Sequence, residues 1–217
     1  MHLLAVDTSG KNGSIALAKC TSKDCNILEV VALEGGTFSA ELVPKISAML
    51  AKHHLSKNDI GAFAVATGPG SFTGLRIGLA AVKGLAEILH KPISAVSLLA
   101  ILAGTSSDSS PVLTAMDAGR KEFYVGVYEN NELIDERLMT QAELLLALRN
   151  NVLVTPESAL AVAMRDAGKT VIEVARPTSA DVARFGWKKI NAGDVVTPQA
   201  LDANYIRRAV DPVAAKS

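Results

Sequence analysis

The residues best placed for chemistry are two aspartates and a glycine-rich segment. Asp7 closes a short apolar run and is followed by Thr8-Ser9-Gly10, and Asp117 closes a second run before Ala118-Gly119. A carboxylate at the end of a strand can hold Mg²⁺ against a phosphate, or accept backbone N–H groups and cap a turn. The turn role is the commoner. The segment Thr67-Gly68-Pro69-Gly70-Ser71-Phe72-Thr73-Gly74-Leu75-Arg76-Ile77-Gly78 leads from an apolar β-type run into a helical pattern. The first N–H groups of a helix have no partner within it, and glycine lets an anion approach them closely. Asp7, Thr8, Ser9, Gly68, Gly70 and Asp117 therefore form a candidate nucleotide site. The segment lacks the Gly-Lys-Ser/Thr ending of a P-loop, and Ser71 stands in no Gly-x-Ser-x-Gly elbow. A tight turn with Ser71 or Thr73 capping the helix explains the same residues equally well.

Other chemistries find less support. The histidines are His2, His53, His54 and His90, with no pair spaced to share a helix face, so no metal site is expected. Cys20 and Cys25 flank Thr21 to Asp24 as at a hairpin tip, a spacing unlike zinc ligation, and a cytosolic chain keeps such thiols reduced. Lys188, Lys189, Arg207 and Arg208 offer phosphate contacts, although a solvated helix face accounts for them more simply. Trp187 and Tyr205 are read as anchors of a terminal helix rather than stacking platforms.

The 22 basic residues balance 22 acidic ones, which argues against a protein that holds nucleic acid through one broad positive field. Any nucleic-acid contact must be local or shared with partners. The start, Met1-His2-Leu3-Leu4-Ala5-Val6, reaches Asp7 before any long apolar run, so no signal peptide is expected. No apolar stretch is long enough to span a bilayer, and the expected location is the cytoplasm.

The elements that must position these residues repeat. Leu3–Val6, Gly13–Lys19 and Asn26–Leu33 read as strands, followed by a helix over Glu41–Leu55 with Pro44 near its first turn. Ala62–Ala66 then reads as a strand, Gly74–His90 as a helix and Ile93–Val96 as a strand. The second half repeats this order: strands Val112–Met116, Glu122–Tyr128 and Glu132–Leu138, with Asn130-Asn131 as a turn. Thr140 with Glu143 forms a capping box for helix Gln141–Arg149. Strand Val152–Thr155, helix Glu157–Ala167, strand Val171–Ala175 and helix Ala180–Asn191 complete the set. This predicts two α/β lobes, 1–104 and 105–217, joined by a linker over Gly104–Ser110. A duplicated βββαβα unit with paired strand-end carboxylates is similar in plan to the actin, sugar-kinase and Hsp70 ATPase superfold.

The helix after the glycine loop carries Gly74, Gly78, Ala80, Ala81, Gly84 and Ala86, although glycine inside a helix costs about 1 kcal/mol relative to alanine. Close packing must compensate, either on the chain's own sheet or at a subunit interface. On the second reading Gly74, Ile77, Gly78, Ala81 and Gly84 meet a partner together with Leu42, Ile46 and Met49 of the preceding helix.

Residues Gly68 to Gly78, GPGSFTGLRIG, resemble the signature of the TsaB (YeaZ) family, as does the opening Leu4-Ala5-Val6-Asp7-Thr8-Ser9. Met116 to Tyr124 is similar to that family's AxDARxxExY segment, and Asn204-Tyr205-Ile206-Arg207-Arg208 to its terminal motif. The resemblance implies an inactive paralogue of the TsaD subunit, which pairs with it and enables threonylcarbamoyl transfer from threonylcarbamoyl-adenylate onto tRNA adenosine. It also implies a third component, the ATPase TsaE, and self-association through the same N-lobe helices. The metal-binding His-x-x-x-His of the catalytic paralogue corresponds here to Phe38-Ser39-Ala40-Glu41-Leu42, without histidine, which speaks against peptidase activity. Thr155-Pro156-Glu157-Ser158 stands where active superfold members carry glycines around adenosine. No cofactor is therefore required, and weak nucleotide binding stays open. The alternative is a stand-alone ATP-dependent small-molecule kinase using Asp7 or Asp117 with Mg²⁺.

Overall fold

The computed structural model describes residues 1–106 and 111–206. Arg207, Arg208 and the Ser107–Ser110 part of the expected linker lie outside the described residues. The described residues divide into two compact units, one of residues 1–101 and 175–204, the other of 102–106, 111–174 and 205–206.

The first unit opens with β1 (His2–Asp7), β2 (Gly13–Cys20) and β3 (Cys25–Leu33), then α1 (Phe38–Lys52), β4 (Ile60–Gly68), α2 (Phe72–Leu89), β5 (Ile93–Ser97) and the start of α3 (Leu98–Ala103). Its sheet runs β3-β2-β1-β4-β5, antiparallel among the first three strands and parallel from β1 to β5. Burial follows position in the sheet. Leu3–Val6 and Ala62–Ala66, on the central strands, are buried without interruption, as expected of strands covered on both faces. The edge strand β3 alternates half-buried and exposed residues instead. Helix α1 begins three residues before the expected Glu41, so Pro44 lies inside the helix rather than in its first turn. There it is exposed, with its ring on the solvent side.

The second unit contains β6 (Val112–Gly119), β7 (Glu122–Glu129), β8 (Glu132–Thr140), α4 (Gln141–Leu148), β9 (Val152–Thr155), α5 (Ser158–Asp166) and β10 (Val171–Glu173). Its sheet order, β8-β7-β6-β9-β10, repeats that of the first unit strand for strand. Asn130 and Asn131 both adopt positive φ, 52° and 64°, the conformation a two-residue hairpin turn needs. Thr140 Oγ1 accepts from Glu143 N, and Glu143 Oε2 accepts from Thr140 N at 2.7 Å, completing the capping box. Leu113, Val125, Met139, Leu144, Leu148, Leu153 and Met164 fill this unit's core.

The last helix, α6 (Ser179–Asn191), corrects the expected division at 104/105. It packs on the first unit's sheet, against β1, β2, β4 and β5. Gly186 approaches Ala64 so closely that an added Cβ would stand 2.6 Å from the alanine methyl. Trp187 Nε1 donates to Thr21 O at 2.7 Å, and Ser179 N to Ser14 Oγ at 3.1 Å. The chain beyond it stays with the same sheet, where Val196 N bonds Ile93 O at 2.8 Å and Asn204 N bonds Thr67 O at 2.8 Å. Val6 faces α2 while Ala64, paired with the alternate residue Ala5, faces α6. The first sheet is thus a middle layer between α1–α2 and α6. The hydrophobic stripe of α6 fits either sheet, and only long-range pairing reveals which one it covers.

Candidate functional site

The glycine-rich segment and the end of β1 meet at one corner of the first unit. Ser71 N donates to Ser9 O at 2.7 Å, and Thr8 Oγ1 donates to Gly74 O at 2.7 Å. Ser71 also caps α2, its Oγ accepting from Gly74 N at 3.2 Å, so the capping role falls to Ser71 rather than Thr73. The glycines make this approach possible. A Cβ at Gly70 would lie 2.3 Å from Ser9 O, one at Gly74 2.2 Å from Thr8 O, and one at Gly78 2.4 Å from Thr8 Oγ1. Gly68 adopts φ +126°, which L side chains avoid, and a Cβ there would stand 3.2 Å from Asn204 O.

The structure thus brings Asp7, Thr8, Ser9, Gly68 and Gly70 together, but Thr8 and Ser9 take the space beside the glycines. Asp7 is buried and its Oδ1 accepts from Ser9 N at 2.9 Å. Burial pushes its carboxyl above the ordinary range, against the opposing pull of the Ser9 hydrogen bonds and the Arg176 charge. In the second unit Asp117 is exposed, its Oδ1 accepting from Gly119 N at 3.1 Å while its own N–H reaches Glu157 Oε1 at 3.2 Å. Both aspartates make the short-range bond of a turn cap. Glu157, from the Thr155-Pro156-Glu157-Ser158 segment, is a contact that the sequence did not signal. Among the described residues no group of three or more His, Cys, Asp or Glu is clustered to hold a metal ion.

The helix residues expected at an interface divide into two sets. Leu42, Ile46 and Met49 are buried within this chain's own core, as are Gly74 and Gly78. Their close contacts are intramolecular, which corrects the expectation that they face a partner. Ile77 and Ala81 are half-buried, and Gly84 is exposed with nothing within 4 Å of an added Cβ. One turn on, Ile88 is 69% exposed, and Val43 on α1 is 55% exposed. Ile77, Ala81, Gly84 and Ile88 recur at helical spacing and share one outward face of α2. Phe72, at the start of α2, carries the Arg76 guanidinium 3.6 Å over its ring.

Of the basic and aromatic candidates, Trp187 is the anchor of α6 already described. Lys188 is exposed, and Lys189 pairs with Asp194 at 3.0 Å. Among the described residues no helix is long and apolar enough to cross a membrane.

Comparison with known proteins fits this architecture. An uncharacterized protein with similarity to peptidase YEAZ from Pseudomonas aeruginosa superposes with a TM-score of 0.72 at 24% identity, covering 95% of this chain and 99% of the other. YeaZ from the same organism gives 0.69 at 23% identity, covering 94% and 100%. The ethanolamine utilization protein EutJ from Carboxydothermus hydrogenoformans gives 0.51 at 12% identity, covering 86% and 88%. The fold is the duplicated one of the actin, sugar-kinase and Hsp70 ATPase superfold. Residues 35–199 match the family described as TsaD: tRNA N6-adenosine threonylcarbamoyltransferase. The tRNA threonylcarbamoyladenosine biosynthesis protein TsaB of Bacillus subtilis is 33% identical over 68% of this chain, and that of Escherichia coli 33% identical over 61%. Those matches span 63% and 57% of the relatives' own length, under two thirds. Within the wider TsaD-type family, the chain belongs to the TsaB (YeaZ) family.

Proposed function

We propose that this protein is a non-catalytic accessory subunit in the formation of threonylcarbamoyladenosine in tRNA, and that it pairs with and activates a TsaD-type transferase. The observation that carries this reading is the outward face of α2. There the half-buried Ile77 and Ala81 and the exposed Gly84 and Ile88 form a narrow, small-to-apolar strip. Small residues let a second helix come close, and apolar ones stabilise the contact. Relatives' names supply the pathway, and the strip supplies the means of joining it. Binding acts by population shift, favouring the competent arrangement of the partner's active site. A TsaE-type ATPase completes the assembly, tRNA is met through the complex in the cytoplasm, and the same helical face serves self-association. The protein's own glycine loop supports a structural role, since Thr8 and Ser9 pack against its glycines.

The test is reconstitution with the transferase, the ATPase, threonylcarbamoyl-adenylate and tRNA, reading threonylcarbamoyladenosine by mass spectrometry. Product is expected only when this chain is present. Gly84→Arg is expected to abolish pairing and product without lowering the urea midpoint of the chain, because its side chain enters open space and arginine is a better helix former than glycine. Equal product without the chain overturns the reading. So does full pairing by Gly84→Arg. Calorimetry with Mg-ATP separates the kinase alternative: micromolar binding, with turnover lost in Asp117→Asn, would replace the accessory role.

A further inference from the structure

The cysteine pair at the tip of the β2–β3 hairpin is untouched by the reading above. Cys20 and Cys25 are direct cross-strand partners, and both are free thiols. Thr21 N donates to Asp24 O at 2.8 Å, closing the turn with a hydrogen-bonded pair. The backbone of Cys20 turns the other way: its N–H bonds Met1 O at 2.8 Å and its carbonyl accepts from the Met1 amino group at 3.0 Å. Cys20 and Cys25 therefore form a non-hydrogen-bonded pair, the type in which antiparallel strands bring opposite side chains closest, with Cα atoms about 4.5 Å apart. That separation lies inside the range a disulfide spans. The sulfurs are 2.6 Å apart.

The two thiols are not equivalent. Cys20 is buried, while Cys25 is half-buried and so reachable from solvent. The hydrogen bond from Cys20, helped by the Arg184 charge, lowers the pKa of the Cys25 thiol against the cost of its burial, and the same bond with desolvation raises that of Cys20. Cys25 is thus the attacking thiolate and Cys20 the resolving thiol. The hairpin tip is also joined to α6: Thr21 O accepts from Trp187 Nε1 at 2.7 Å, and the Cys25 sulfur lies 3.8 Å from Ala183 O, to which it donates when protonated.

We propose that Cys20 and Cys25 form a reversible dithiol–disulfide site that exchanges with low-molecular-weight disulfides, and that its state is transmitted to α6 through Thr21 and Trp187. The thiolate of Cys25 attacks one sulfur of a small disulfide RSSR, giving a mixed disulfide and releasing RS⁻. Cys20 then gives up its proton and attacks the Cys25 sulfur, expelling the second RS⁻. Two protein thiols are oxidised to one disulfide, RSSR is reduced to two thiols, and two electrons and two protons leave the protein. Oxidation removes the Cys25 S–H donor facing Ala183 and ties the strands beside Thr21, which alters the support of the Trp187 indole.

The test equilibrates the full-length protein in glutathione buffers of increasing disulfide fraction, quenches with an alkylating reagent, and weighs the intact chain while recording its tryptophan emission. Trp187 is the sole tryptophan, so the emission reads α6. Wild type is expected to lose both alkylation sites together, with an emission shift of the same midpoint, and to regain them on reduction. Cys20→Ser is expected to stop at a single glutathione adduct on Cys25. The site is overturned if both thiols alkylate fully in every buffer, if wild type stops at adducts, or if the oxidised product is a dimer. An internal disulfide without any change in emission overturns the link to α6.

Discussion

Replacing Gly78 or Gly84 by alanine makes the same chemical change in the same helix, yet opposite effects are expected. Inside a helix the change gains about 1 kcal/mol in backbone entropy and propensity. At Gly84 nothing lies within 4 Å of the new methyl, so the whole gain is kept. At Gly78 the methyl falls 2.4 Å from Thr8 Oγ1 and 3.3 Å from Val6 Cγ1, inside the contact between α2 and β1. Overpacking of this kind costs about 1–3 kcal/mol. Displacing Thr8 also breaks its 2.7 Å bond to Gly74 O, a further loss of about 1 kcal/mol. After subtracting the propensity gain, Gly78→Ala is expected to destabilise the first unit by about 1–3 kcal/mol. Gly84→Ala is expected to stabilise it by about 1 kcal/mol. Urea unfolding followed by Trp187 emission measures both, because that residue belongs to the unit containing α2. If Gly78→Ala matched Gly84→Ala in sign and size, Thr8 would be free to move aside. The claim that these glycines serve the chain's own packing would then fail.

Other outcomes follow from single contacts. Thr140→Ala should cost about 1 kcal/mol by removing the cap of α4, seen as faster amide exchange over residues 141–148; unchanged exchange there would show the cap to be dispensable. Trp187→Phe keeps most of the apolar contact but leaves Thr21 O unpaired, at a cost of about 1 kcal/mol, with faster exchange expected across α6. Asp7→Asn should change the pH response. Burial holds the carboxyl above its ordinary 3.8, so the stability tied to its protonated form is complete below that value and is lost as pH rises through the folded pKa. Asparagine keeps an acceptor for Ser9 N without the charge, so the variant should be the more stable at neutral pH and converge with wild type in acid. A wild-type advantage at neutral pH would show that Arg176 and the hydrogen bonds outweigh burial.

Local patterns announced most elements because they depend on near neighbours. Val152–Thr155 was bounded correctly by its apolar run, and Thr140 with Glu143 marked the start of α4 through contacts three residues apart. The six-residue α3 was missed because it is an unbroken apolar stretch, Leu98–Ala103, with no polar face to set a helical period. The site was legible as a set of residues but not in its packing. Small residues in α2 signalled a close approach, yet only the three-dimensional path of β1 shows that Thr8 and Ser9 fill the approach at Gly70, Gly74 and Gly78. The same periodicity that placed Leu42, Ile46 and Met49 on one face of α1 is equally that of a core stripe, and the core is where they lie.

The return of α6 to the first sheet has a consequence for synthesis. The bond from Trp187 to Thr21 closes a separation of 166 residues, so the amino-terminal half emerges from the ribosome without the helix that covers one face of its sheet. Domains usually fold in the order in which they are made. Here the strands of the second unit lie between residues 112 and 173, so its sheet is complete before α6 is made, and the sheet of the first unit waits for α6 until residues 179–191 have been made. During that interval the α6 side of β1 and β4 stays uncovered, so apolar surface that the finished protein buries is open to water in the nascent chain.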